Sequence, residues 1–63
     1  MKKTLVMWVL VDKTTGTIWD STISTSEQMS MAIGNELLSL DCLSLSDTNF
    51  VPVKCTIEIK VCE

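Results

Sequence analysis

The side chains able to do chemistry in this chain are three cysteines, a scatter of carboxylates and many hydroxyls. Cys42, Cys55 and Cys62 are the softest ligands and strongest nucleophiles, yet no two stand in a CxxC pair and there is no histidine. A structural zinc takes four Cys or His ligands, so three isolated thiols are a poor donor set. Cys55 and Cys62 fall seven apart on an expected strand. That puts them roughly 23 Å apart on opposite faces, too far to bridge. Spacing leaves a bridge from Cys42 to either one open. The expected state is three reduced thiols, with Cys55 packed as a small apolar residue, in a cytoplasmic chain. The serines and threonines lack an activating histidine, and no lysine or carboxylate is spaced as a base. Arginine, tyrosine and a glycine-rich phosphate loop are absent, and Lys2 rather than proline follows Met1, unlike the smallest tautomerases. No catalytic residue, metal site or cofactor is assigned, and the chain is read as not an enzyme.

The elements that would position these groups follow from hydropathy. Residues 4–11 are β-branched or bulky and apolar on both parities, as in a strand with both faces covered. The lysines before it imitate a signal peptide, but Asp12-Lys13-Thr14-Thr15-Gly16 follows instead of a small-residue cleavage site, and the run is too short to span a bilayer. That segment is turn chemistry, and Thr17–Ser21 returns as a second strand. Ser24 with Glu27, or Thr25 with Gln28, can form a capping box at a helix start. Met29, Ile33, Leu37 and Leu40 then make one apolar stripe at helical period. Gly34 flanks the stripe and can admit close approach of another backbone, while Met31 and Leu38 fall on the opposite side. Asp41–Asn49 reads as a loop with Leu43 and Leu45 tucked beneath it. From Val51 onward, Val53, Cys55, Ile57, Ile59 and Val61 alternate with Pro52, Lys54, Thr56, Glu58 and Lys60, a strand with one dry and one wet face. Pro52 and the outward lysines suit a sheet edge.

The order is β-β-α-β in one domain, residues 1–63. The fold class is α+β: a three-stranded antiparallel sheet, order 2-1-3, with one helix packed on one face. Parity assigns the dry residues of the last strand, with Leu5, Met7, Val9 and Val11, to the helix side. Val6, Trp8 and Leu10 are then left on the open side, joined by Trp19 if the hairpin pairs it with Leu10. With Met31 and Leu38 on the helix back, these six residues are the expected interface, the alternative being that Trp8 and Trp19 fill the core beneath the helix and that Met31 and Leu38 sit under the loop with Leu43 and Leu45.

Composition sharpens that expectation. The chain is 46% hydrophobic, with mean hydropathy +0.33, in only 63 residues. A chain this short buries ~60% of its unfolded surface and usually needs a disulfide, metal or partner. One helix for two apolar sheet faces predicts a homo-oligomer, most simply a twofold dimer. A net charge of −3 with five lysines is a weak phosphate-reading surface, so no direct nucleic-acid partner and no membrane is expected.

Leu5–Val11, the turn at Gly16, the Asp20-Ser21 exit, the capped segment Ser24–Glu27 and Phe50-Val51-Pro52-Val53 together resemble small phage- and prophage-encoded proteins of enteric bacteria. That resemblance implies a cytoplasmic accessory protein that acts on a host protein. The leading expectation is a protein–protein interaction module. The alternatives are a protein-contacting subunit or regulator of a nucleic-acid-handling complex and, third, a minimal enzyme.

Overall fold

The structure, a computed structural model, describes residues 1–62. In chain order it contains β1 (Lys2–Asp12), β2 (Ile18–Ser24), α1 (Glu27–Ser39), a 3-10 turn (Leu45–Asp47) and β3 (Phe50–Lys60). The strands form one antiparallel sheet, β2-β1-β3, with β1 central as parity requires. β1 and β3 pair without interruption from Lys2↔Lys60 to Asp12↔Phe50.

The β1–β2 turn is built by Asp12. Its carboxylate accepts from the Thr14 and Thr15 N–H groups at 2.8 and 3.1 Å, and Gly16 supplies the positive φ of 76° that closes the turn. Leu10 then stands opposite Trp19, the pairing the sequence allowed. Beyond it β2 bulges, because the next partners are Trp8 and Ser24. Thr22 repairs the gap: its hydroxyl accepts from Leu10 N–H (2.9 Å) and donates to the Trp19 carbonyl (2.6 Å). The strand thereby runs to Ser24 rather than ending at Ser21.

α1 starts at neither expected cap. Ser26 is the N-cap and accepts from Met29 N–H at 3.2 Å, while the Ser24 hydroxyl donates to the Ser26 carbonyl. The helix closes in a Schellman pattern. Leu43 N–H donates to the Leu38 carbonyl and Cys42 N–H to that of Ser39, and Cys42 takes the left-handed φ of 59° that glycine usually occupies.

The helix presents a different face from the one its hydropathy marks. Ser30 and Gly34 are its buried residues, whereas Met29, Leu37 and Leu40 are exposed. The Ser30 hydroxyl donates to the Thr22 carbonyl at 2.8 Å, and Gly34 lies so close to Leu10 that an added Cβ would overlap Leu10 Cδ1. Small residues one turn apart let the helix approach the sheet backbone, and a leucine stripe there would hold it away. Leu45 supports the same contact from the loop, but Leu43 is exposed.

The side of the sheet is corrected with it. Leu10, expected on the open side, is 0% exposed beneath Gly34. Trp19 shares its face by register, and so do Trp8, Pro52 and Phe50. The helix therefore lies on the even-numbered face of β1, and the dry residues of β3 point away from it. The close contacts of Ser30 and Gly34 fix the side, and length sets how much of it is covered. Thirteen helical residues span roughly 20 Å, and the eleven-residue strands span roughly 37 Å. The helix covers the bulky cluster at the hairpin end, and the rest of its face turns polar, with Thr4, Thr56 and an exposed Lys2–Glu58 ion pair at 3.4 Å.

Candidate interaction surface

The face opposite the helix is apolar over nearly its whole length. Cross-strand partners share a face, so Leu5–Ile57, Met7–Cys55, Val9–Val53 and Val11–Val51 stand in four successive rows, extended by Ile59 and, at the hairpin end, Ile18. Among the described residues the one helix packs on the other side, and most side chains of these rows are half-buried. Ile18 is 64% exposed, Ile59 44% and Val53 40%, while Val9, midway along beside the bulge, is buried. Lys3 at one end is the only charged residue in these rows; Lys2, Lys54, Glu58 and Lys60 fall on the other parity.

The dimensions agree with an unfinished core. Val9 and Leu10 are the only buried apolar side chains among the described residues. The radius of gyration is 13.0 Å, where a compact chain of this length has roughly 10.6 Å. The accessible surface is 4668 Å², and a folded monomer of this mass exposes roughly 4040 Å².

A second exposed feature is the outer edge of β3. Leu10 N–H points toward Thr22 on β2, so Leu10–Pro52 is a pair without β1–β3 backbone bonds. The even-numbered residues of β3 consequently aim their backbone groups outward. Pro52 has no N–H to waste there, and Lys54, Thr56, Glu58 and Lys60 carry the free donors. Lysines along an open edge discourage strand addition.

A third is an open apolar pocket of about 260 Å³ lined by Thr17, Ile18, Trp19, Leu38 and Phe50. The Trp19 and Phe50 rings meet at 5.2 Å with a 46° tilt. Its volume is below the ~300 Å³ at which small-molecule sites begin, and it holds no charged side chain.

Of the six expected interface residues, the structure brings Leu10, Trp19 and Leu38 together around the buried helix face. Trp8 is half-buried on the same side of the sheet, and Val6 on that side is 55% exposed beyond the helix. Met31 stands apart, exposed on the helix. Leu10 has no surface to offer a partner, and the parity placing Val6, Trp8 and Leu10 on the uncovered side is inverted. The bare-face residues were legible as a dry alternation, but alternation says which side is dry and not what covers it.

The three cysteines are free thiols; Cys42 and Cys62 are exposed and Cys55 is half-buried in the bare face. Among the described residues no three Cys, Asp or Glu side chains gather as metal ligands, and no helix is long and apolar enough to cross a membrane. No protein family, curated protein or solved structure matches the chain.

Proposed function

We propose that this protein is a protein–protein interaction module whose working surface is the bare sheet face. The observation that carries the proposal is the row of apolar pairs from Leu5–Ile57 to Val11–Val51 on the sheet face turned away from the helix. Contiguous apolar surface of this extent marks an association site in a folded chain. The polar remainder of the opposite face, with its exposed ion pair, has the character of a solvated exterior. The likeness of its segments to phage accessory proteins makes enteric bacteria the place to look for a partner.

The test is capture from an enteric-bacterial lysate, supplemented with a differently tagged copy of this chain, on immobilised wild type, Ile57→Lys and Val6→Lys, read by mass spectrometry after circular dichroism has confirmed folding. Species held by wild type and Val6→Lys but lost with Ile57→Lys place the surface on the bare face. Loss with Val6→Lys and retention with Ile57→Lys would contradict the proposal.

A further inference from the structure

We infer that the occupant of the bare face is a second copy of this chain, stacked face to face about a twofold axis, with the Met7–Cys55 row near its centre. This rests on the bare face being the working surface and adds what covers it. The product is a four-layer particle, helix–sheet–sheet–helix, with the two sheets ~10 Å apart as in aligned sheet packing.

Area supports this occupant. The chain exposes 4668 Å², about 600 Å² above the surface of a compact monomer of its mass. A standard interface removes ~800 Å² from each partner, so one stacked copy absorbs the excess. Charge supports it too. The chain carries a net −3, which repels a second copy unless the carboxylates lie outside the contact. Most of the described ones do: Asp12 and Glu58 fall on the opposite parity, Glu27 and Glu36 are on the helix, and Asp41 and Asp47 are in the loop region, which leaves Asp20 on the edge strand β2 at the hairpin end. The contact face offers almost no charge or hydrogen-bonding side chain with which to select a foreign protein. An apolar face of this kind can pair with its own copy and has the apolar character of permanent interfaces. Pairing through the β3 edge would leave the apolar rows bare and join them into a larger bare surface, so it does not solve the same problem.

Two substitutions separate the geometries. Ile57→Lys puts a charge in the face, and Thr56→Pro removes an outward N–H from the edge without touching a β1–β3 bond. In sedimentation equilibrium from low to hundreds of micromolar, wild type and Thr56→Pro should reach twice the monomer mass while Ile57→Lys stays a monomer. Because Ile57→Lys can unfold the chain, alkylation of Cys55 in the wild type is followed in parallel. Its rate should fall about tenfold or more from dilute to concentrated protein as free chain is depleted, while Cys62 stays reactive throughout. Dimerisation lost in Thr56→Pro and kept in Ile57→Lys would overturn face stacking in favour of edge pairing. A wild-type monomer at every concentration, with Cys55 freely alkylated and an apolar dye bound, would overturn the second copy while leaving the face open to another partner. A monomer with Cys55 inert and no dye bound would overturn the interaction surface itself.

Discussion

The two faces of the sheet are made from the same strands and differ in how they are finished. On the helix side, Leu10 is completely buried, the Ser30 hydroxyl donates to the Thr22 carbonyl, the Thr22 hydroxyl accepts from Leu10 N–H, and Trp19 leans on Phe50. On the other side, apolar rows run along β1 and β3, turned away from the helix. The finished face relies on small and polar residues at defined positions; the unfinished one needs only hydrophobic bulk. Close helix packing demands specific atoms, whereas a face that meets a broad partner demands area.

Equal truncations on the two faces should cost unequal amounts. In dilute protein Leu10→Ala should lose ~3 kcal/mol, from transfer and cavity terms together, enough to unfold so small a domain. Ile57→Ala under the same conditions should cost ~1 kcal/mol, since its side chain is only half-buried. Urea titration of both variants checks this, and equal costs would erase the distinction between the faces.

Thr22→Val should cost ~2 kcal/mol, because it strands the Leu10 N–H inside the bulge without a partner. Gly34→Ala should also cost ~2 kcal/mol despite a helix-propensity gain of ~1, because the new methyl overlaps Leu10. Thermal melts should show each as a fall of roughly 10 °C. Stabilisation by Gly34→Ala would mean that the helix does not sit on Leu10.

Element order and sheet order were readable from the sequence, because they depend on turn residues and period-two alternation, whereas the Leu10–Trp19 register was only one of the pairings it allowed. The covered face was not. β1 is apolar on both parities, so it fits a helix on either side, and the dry alternation of β3 pointed to the wrong one. What decides the side is the small face of Ser30 and Gly34, for which the legible trace was a glycine suited to close approach. Thr22 was invisible because a side chain replacing a ladder bond leaves no mark in hydropathy. Three adjacent residues, Ser24, Thr25 and Ser26, can each cap a helix, so the choice of Ser26 depended on where the bulge released the chain.

The smallest expected change is a gain. Cys42→Gly at the left-handed position closing α1 should stabilise by ~0.5–1 kcal/mol and leave association unchanged, since Cys42 belongs to neither face. Reductant should shift the melting temperature negligibly, as expected of three free thiols.

The most direct test of the central claim, that the bare face is completed by association, is the melting temperature of the wild type over a hundredfold range of concentration. Unfolding coupled to dissociation of a two-copy particle should raise the midpoint by roughly 10 °C across that range. A midpoint independent of concentration, with the chain folded throughout, would show that the sheet stands complete with one face bare and would contradict the account.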